Sequence, residues 1–221
     1  MLKFDTPAPV SAVVEIPAGR VRFIAADRTD TTVEVLPADP SRSRDVRAAE
    51  QTSVACADGV LRITAPAPGN RLVGPTGSLE VTVRLPAGSR VEGKGSGVEL
   101  RGVGRLGDID FEGAYRHVKI DEADGVRITA LDGTVGIGRL NGPAEISTAR
   151  GDIRITEARR GTVVLGTGSG DITIGAATGV SAALDATAGH GRVSQALKND
   201  GTTGLDIRAT TAMGDITARS L

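Results

Sequence analysis

The phrase Gly-Asp-Ile returns through the second half of this chain and constrains its fold more than any other feature. It occurs intact at 151–153, 170–172 and 214–216. Two degenerate copies, Gly133-Thr134-Val135 and Gly191-Arg192-Val193, belong to the same series. Recurrence at such a spacing is typical of stacked supersecondary units. The phrase therefore predicts an architecture, and it points to no particular chemistry.

Each repeat holds two short segments in which aliphatic residues alternate with polar ones. Alternation with a period of two places the aliphatic residues on one face of a β-strand. In the first segment of each repeat, the central inward residue is predicted to be Ile128, Ile146, Leu165, Leu184 or Ile207. In the second segment, the first inward residue is predicted to be Val135, Ile153, Ile172, Val193 or Ile216. Looser copies lie around Val91, Val98, Ile109 and Val118. We expect the repeats to stack in sequence order.

A helical interpretation conflicts with the glycine that recurs in every repeat, because Gly inside a helix costs about 1 kcal/mol relative to Ala. The central residues 128, 146, 165, 184 and 207 lie 18, 19, 19 and 23 residues apart. Such units are too short for a strand plus a crossover helix, which needs roughly 30 residues. They fit one coil of a solenoid whose equivalent strands stack about 4.8 Å apart. Residues 88–221 are therefore predicted to form an all-β solenoid with 18–23-residue coils.

The N-terminal residues 1–87 follow a related pattern. Segments 13–19 and 81–88 resemble each other, and further strands are predicted at 20–25, 31–36, 60–64 and 79–85. We expect this region to be continuous with the solenoid and to cap its start, because an open coil end leaves backbone groups unpaired. A separate N-terminal domain is the alternative.

Two local features interrupt the N-terminal strands. A short helix is predicted near 40–50, with Ser41 or Ser43 capping its start. The Pro- and Gly-containing stretch 66–77 is predicted to be a loop.

Composition narrows the classes of function. The formal net charge is −1, so no overall field attracts nucleic acid or an anionic membrane surface. The chain has only four aromatic residues, which argues further against stacking on nucleic-acid bases. No stretch approaches the ~20 apolar residues that span a bilayer, so no membrane insertion is expected. The start of the chain, 1–5, lacks the features of a signal peptide, and a cytoplasmic location is expected.

Cys56 is the single cysteine, which excludes an internal disulfide and a cysteine zinc cluster. It lies between Ala55 and Ala57 in a predicted strand, where a small buried thiol is expected. We predict no cofactor for this chain.

The chain resembles the bacterial "putative adhesin" family of β-strand-repeat proteins, a family of unknown function common in actinobacteria. The residues that carry the resemblance lie at 19–22, 31–37, 58–61 and 85–89, together with the Gly-Asp-Ile series. The resemblance covers nearly the whole chain and implies a single-stranded, right-handed β-helix-like fold. It implies no catalytic residues.

The aspartates of the repeat raise the question of a metal site. Stacking in sequence order places Thr134, Asp152, Asp171, Arg192 and Asp215 in one outward ladder. Asp152 and Asp171 would then be neighbours, a candidate oxygen site for Ca²⁺. Capping of the turn by a short carboxylate explains the same residues, and we predict no metal ligand.

An enzyme acting on polysaccharides is the rival class. Asp108, Asp110 and Glu112 surround Phe111, and Tyr115 and His117 follow. A carboxylate pair there would serve as acid and base if its separation suited glycoside hydrolysis. The alternative is that Phe111 points inward and leaves the acids solvated. No residue is assigned a catalytic role.

The sequence favours a non-catalytic scaffold or adhesin-like interaction module that acts through flat outer sheet faces, with a protein or a second copy as partner. In the sheet formed by the first segments of the repeats, the outward residues Val164, Gly166 and Ala183 are small and apolar. The last predicted strand, 215–219, ends close to the C-terminus and would leave a bare edge for another chain. Both features predict homo-oligomerisation.

Overall fold

The computed structural model describes residues 1–66 and 77–221 and is built almost entirely of strands. The strands are β1 (Leu2–Asp5), β2 (Ser11–Glu15), β3 (Ala18–Ala26), β4 (Asp30–Pro37), β5 (Ser53–Ala57), β6 (Val60–Thr64), β7 (Leu79–Pro86), β8 (Arg90–Asp132), β9 (Val135–Leu140), β10 (Ala144–Arg150), β11 (Ile153–Ala158), β12 (Gly161–Ser169), β13 (Ile172–Ala176), β14 (Ala182–His190), β15 (Val193–Ala196), β16 (Leu205–Met213) and β17 (Ile216–Ser220). One helix, α1 (Ser43–Gln51), interrupts them within the described residues. The all-β class predicted from the sequence is confirmed. The loop predicted over 66–77 falls mostly outside the described residues.

The strands form two layers that remain open and do not close into a barrel. Layer A contains β5, β6, β2, β10, β12, β16 and β14, and layer B contains β1, β4, β7, β3, β9, β11, β13, β17 and β15. The long strand β8 winds through both layers, because its residues pair in turn with β2, β3, β9 and β10. The inward side chains of both layers form one aliphatic cluster. The division at residue 87, the handedness of the coil and the coil length stay predictions.

The first repeats pair in the register that the alternation predicts. Ile146 lies opposite Ile128 on one side and opposite Leu165 on the other. In layer B, Ile153 lies between Val135 and Ile172 in the same way. All six side chains are at most 1% exposed. The Ile of the Gly-Asp-Ile phrase therefore points into the core.

The order of the last two repeats differs from the prediction. Strand β16 lies between β12 and β14, so that Ile207 faces Val163 on one side and Leu184 on the other. Strand β17 likewise lies between β13 and β15. The expectation that Leu184 neighbours Leu165 is wrong, and Leu165 faces Ala209 instead. The expectation of a bare final strand is also wrong, because β17 has a partner on each side.

The relative apolarity of the two coils explains this order. Ile207 and Ile216 of the final coil are fully buried. The coil of β14 and β15 carries a polar residue, Gln195, opposite buried Ala218, and Gln195 is exposed. Full burial of a large aliphatic side chain contributes about 1.5–3 kcal/mol, whereas a buried amide without partners costs free energy. The more apolar coil therefore takes the inner position.

The corner between the layers explains the recurrent glycine. Gly214 has φ +141°, a conformation that favours glycine. A Cβ on Gly214 would lie 2.1 Å from the carbonyl oxygen of Gly170, on the neighbouring coil. The buried Thr211 hydroxyl donates a 3.0 Å hydrogen bond to that same carbonyl oxygen. Strand β14 has Ala188 opposite Thr211, and an alanine cannot donate this bond.

The N-terminal strands join the same layers. Strand β2 pairs in parallel with β6 and β8, and β3 pairs in parallel with β7 and β8. Strands β1, β4 and β5 pair antiparallel with their neighbours. The predicted strands at 20–25, 31–36, 60–64 and 79–85 correspond to β3, β4, β6 and β7.

The predicted helix near 40–50 is present as α1, but its predicted serine cap is wrong. Arg42 is the N-cap residue and no side chain caps the helix. The hydroxyl of Ser41 donates instead to Asp39, at 2.7 Å. The buried carboxylate of Asp45 accepts a 2.9 Å bond from the Ser78 N–H, which ties α1 to the start of β7. This long-range contact fixes the helix where a local cap was expected.

Candidate functional site

Four basic side chains form one outward row on layer B. Arg22 of β3 lies directly opposite Arg101 of β8, and their side chains share the outer face. Lys119, further along β8, lies opposite Gly136 of β9, and Gly136 lies opposite Arg154 of β11. The guanidinium of Arg101 donates a 3.2 Å bond to the Lys119 carbonyl oxygen, which places these two stretches of β8 side by side. We call Arg22, Arg101, Lys119 and Arg154 the basic row.

The basic row is only partly neutralised. Arg101 forms a 2.8 Å ion pair with Asp121. Arg22, Lys119 and Arg154 are exposed and form no ion pair with any described residue. Like charges directly opposite each other on neighbouring strands destabilise a sheet. The direct opposition of Arg22 and Arg101 is therefore unfavourable for the sheet itself.

A shallow hollow lies at one end of the basic row, between Lys119 and Arg154. It has a volume of about 390 Å³, and its lining includes His117, Lys119, Arg154 and one acid, Asp121. Its floor contains Gly136 and Gly138, which lack side chains. The hollow exists because glycine replaces an outward side chain on two positions of β9. A partner can therefore approach the backbone of layer B between two cations.

The outer face of layer A differs in its electrostatics. Four of its cations are matched by acids on the same or the neighbouring strand, with ion-pair distances of 3.4 Å for Arg127–Glu145, 3.3 Å for Arg208–Asp206, 3.2 Å for Lys94–Glu112 and 3.0 Å for Arg90–Glu92. Exposed pairs of this kind contribute only about 0–1 kcal/mol each to stability. Because these charges compensate each other, they contribute little net electrostatic potential to the outer face of layer A. The basic row of layer B differs from these pairs because three of its four cations form no ion pair with a described residue.

The structure does not assemble the acids and aromatics predicted as an alternative catalytic cluster. Phe111 is 1% exposed and points into the core. Asp108 and Asp110 line an open groove on layer A. Tyr115 lines a different depression beside Arg20, and His117 lines the hollow on layer B. Glu112 forms its ion pair with Lys94. Tyr115 and His117 are thus separated from the two acids.

Asp152 and Asp171 are neighbours, as the sequence predicted, and their carboxylates bind backbone groups. Oδ1 of Asp152 accepts a 2.8 Å hydrogen bond from the Asp171 N–H. Oδ1 of Asp171 accepts a 2.7 Å bond from the Asp215 N–H, and Oδ1 of Asp215 accepts a 2.8 Å bond from the Arg192 N–H. The predicted order in this ladder, with Arg192 before Asp215, is wrong for the reason given above. One oxygen of each aspartate is thereby engaged in holding the next coil.

The apolar outer patch predicted on layer A is interrupted. Val164 faces Arg208, which in turn faces Asp185. Asp206 lies between Thr162 and Ala183. The inserted strand β16 thus places a charged pair between Val164 and Ala183. The continuous apolar surface expected from the sequence is not formed.

Cys56 lies on β5 and is half-buried, so the expectation of a buried thiol is met in part. Burial raises the pKa of its thiol, which lowers the thiolate fraction at neutral pH. A raised thiol pKa opposes nucleophilic use of this residue.

The basic row was missed because its members are far apart in the sequence. Arg22, Arg101, Lys119 and Arg154 share no motif, and the net charge of −1 conceals them. The available signal was the alternation within each strand, which places each of these residues on the outer face. Alternation within one strand does not show which strands are neighbours.

These features define an all-β, solenoid-like module whose most distinctive surface is an outer sheet face. The chain belongs to the Toastrack DUF4097 family, whose model matches residues 13–220. The family resemblance inferred from the sequence is confirmed.

Several solved bacterial structures are similar to this chain. They include a putative cell adhesion protein from Clostridium sporogenes ATCC 15579, with 10% identity, a TM-score of 0.46 and coverage of 100% of this chain and 98% of that chain. A putative adhesin from Bacteroides fragilis NCTC 9343 has 14% identity, a TM-score of 0.47 and coverage of 98% and 95%. A putative lipid binding protein from Parabacteroides distasonis ATCC 8503 has 12% identity, a TM-score of 0.48 and coverage of 98% and 95%.

A comparison with curated proteins yields no match. Within the described residues, no helix has the length and apolar character needed to cross a membrane.

Proposed function

We propose that this protein is a non-catalytic, adhesin-like interaction module that holds an acidic protein surface against the basic row of layer B. The observation that carries this proposal is the direct pairing of Arg22 with Arg101, extended by unpaired Lys119 and Arg154. An acidic partner would relieve the repulsion within the row. Its carboxylates would also gain charge-assisted hydrogen bonds to the guanidinium groups.

The outer face of layer B is a stack of paired strands, which suits a partner surface better than a small substrate. Outward side chains of successive strands stand about 4.8 Å apart, so the basic row spans several strands. The hollow at Gly136 admits a side chain from the partner between Lys119 and Arg154. Electrostatic complementarity of this kind chiefly sets the specificity and the association rate. A cytoplasmic location, expected from the sequence, is part of the proposal.

Poly-L-glutamate is a suitable probe of the basic row, with binding measured by isothermal titration calorimetry at low and high salt. The test variant combines Arg22→Gln, Lys119→Gln and Arg154→Gln. Three exposed charge contacts at about 0.5 kcal/mol each correspond to about a tenfold loss of affinity. The matched control combines Arg62→Gln, Arg127→Gln and Arg208→Gln on layer A, which changes the net charge equally. It should retain wild-type affinity.

Two results would overturn the proposal. Equal losses in the test and control variants would show that only net charge matters. Tighter binding of single-stranded DNA than of poly-L-glutamate would identify nucleic acid as the better partner.

A single substitution separates binding from folding. Arg22→Glu turns the like-charge pair with Arg101 into an opposite-charge pair. We expect it to raise the free energy of unfolding by about 0.5 kcal/mol while it weakens poly-L-glutamate binding. A variant that loses both stability and binding would contradict a role of Arg22 in recognition.

A further inference from the structure

Both layers end at the coil formed by β14 and β15. Within the described part of the chain, β14 pairs only with β16 and β15 pairs only with β17. On the free side of β14 the Ala182 N–H donates a 3.0 Å bond to the Lys198 carbonyl oxygen. The other backbone N–H and C=O groups on the free side of each strand have no strand partner. Such an edge is a template for pairing with another chain.

The interior of the module is open at this end. Val193 is 46% exposed although its neighbour Ile216 is fully buried. All four residues of β15 are exposed. Leu184 and Ala186 on β14 are only partly buried, whereas the facing residues Ile207 and Ala209 are buried. Leu197, which follows β15, is partly buried against the core, and the rest of the apolar face is left incompletely covered.

The edge also lacks the devices by which sheet edges avoid association. Charged side chains, prolines and bulges usually protect such edges. Strands β14 and β15 contain no lysine and no proline, and Asp185 is their single charged residue at neutral pH. Their pairing with β16 and β17 proceeds without a shift of register.

We propose that the β14–β15 edge pairs with the same edge of a second copy of this chain. In this dimer β14 runs antiparallel to its counterpart, and β15 does the same, across one two-fold axis. The two layers then continue from one protomer into the other. The exposed faces of Val193 and Leu184 become buried between them.

Strand lengths identify a second copy as the occupant. The edge offers a nine-residue strand in layer A and a four-residue strand in layer B, and a two-fold related copy matches both. A single extended peptide would pair with one layer only. The opposite end of the molecule, with β5 of five residues and β1 of four, leaves part of β14 unpaired.

Charge supports the same arrangement. Antiparallel pairing centred on Ala186 places Asp185 opposite Thr187 of the partner subunit, so the acids do not oppose each other. Leu184 then faces Ala188 of the partner subunit, and a large side chain meets a small one. Closed two-fold pairing of identical surfaces is the commonest form of homo-oligomer. The pairing leaves the basic row uncovered, so it stands apart from the function proposed above.

The test is the mass of the full chain in solution, measured by sedimentation over a range of concentrations. The wild type should sediment at twice the 22.5 kDa mass of one chain. The double variant Val193→Lys and Gln195→Lys places like charges across the axis at exposed positions and should sediment as one chain. The matched control Val164→Lys changes a residue of similar exposure (40%) on layer A and should remain a dimer.

Each alternative outcome contradicts the proposal. A wild-type monomer at the highest concentration would exclude the dimer, and species that grow beyond two chains would indicate head-to-tail assembly. A double variant that remains dimeric would place the interface elsewhere. Circular dichroism checks that the variant is folded. Hydrogen exchange provides a second readout, because amides of β14 and β15 should be protected in the wild type and not in the double variant.

Discussion

The backbone N–H of Asp215 donates a 2.7 Å hydrogen bond to Oδ1 of Asp171, which lies 44 residues earlier in the chain. This contact requires the last coil to sit beside the coil of β13. The Asp171 N–H in turn donates to Oδ1 of Asp152. The aspartate of each Gly-Asp-Ile phrase therefore links its own coil to the next one in space.

Replacement of Asp171 by Ala should weaken the link between these two coils. The variant removes the acceptor for the Asp215 N–H, and a typical hydrogen bond contributes about 1 kcal/mol. We expect the free energy of unfolding in urea to fall by about that amount, and by less for Asp171→Asn, which keeps an acceptor. Asp185→Ala, on the exposed face of β14, is the control and should change stability by less than about 0.5 kcal/mol. Equal losses for Asp171→Ala and Asp185→Ala would contradict the ladder.

Gly214→Ala should be strongly destabilising, because two independent constraints apply at this corner. The φ of +141° is unfavourable for alanine, and the new Cβ would lie 2.1 Å from the Gly170 carbonyl oxygen. Strain of this kind and overpacking each cost about 1–3 kcal/mol. Gly166→Ala is the matched control, since nothing lies within 4 Å of a Cβ there. Thermal unfolding should show a large loss for Gly214→Ala and little change for Gly166→Ala, and similar losses would argue against the stacked corner.

The insertion of β16 predicts an unusual ranking of two core residues. Ile207→Ala removes a fully buried side chain between two strands and should cost about 2–5 kcal/mol. Leu184→Ala removes a side chain that is only partly buried at the edge of one protomer and should cost less when both substitutions are compared in the monomeric Val193→Lys, Gln195→Lys background. Stacking in sequence order would give the opposite ranking, because Ile207 would then lie at the end. Equilibrium denaturation of both variants distinguishes the two orders.

Asp200 provides a pH-dependent test of the connection between β15 and β16. The carboxylate accepts bonds from the Thr202 hydroxyl and N–H, at 2.7 and 3.0 Å, which lowers the pKa of Asp200 from 3.8 to about 2. A lowered pKa means that the charged form stabilises the folded state at pH values above 3.8, and that this contribution is lost as the pH falls from 3.8 to about 2.

The carboxyl carbon of Asp200 should therefore titrate near the lower value in an NMR experiment. Thr202→Val removes the hydroxyl donor and should move the titration midpoint towards 3.8. An ordinary midpoint in the wild type would show that the turn does not hold the carboxylate.

Much of the local structure could be predicted from the sequence. Residues such as Ile146 and Ile172 were assigned to the core because alternation within one strand fixes which side chains point the same way. The glycine corners were also predictable, because their backbone conformation is a local property. The serine cap of α1 was not, since a distant contact from Asp45 to Ser78 stabilises that segment.

The candidate site depended on information that the repeat does not carry. The sequence shows that Arg22 and Arg101 each point outward from their strands. Their position directly opposite each other follows from the pairing of β3 with β8. The Lys119–Gly136–Arg154 hollow likewise depends on three strands being neighbours. A net charge of −1 gave no sign of a local basic surface.

The sequence by itself determined the repeat, the inward and outward face of each strand and the glycine at each corner, because these depend on interactions within a few residues. Only the tertiary structure decided that the final coil lies inside and the coil of β14 and β15 outside. The physical reason is that two coils can share the same alternation of apolar and polar residues while their inward side chains are buried to different extents. Ile207 and Ile216 gain more from the inner position than Leu184 and Val193 would, and Gln195 can remain in water only at the edge.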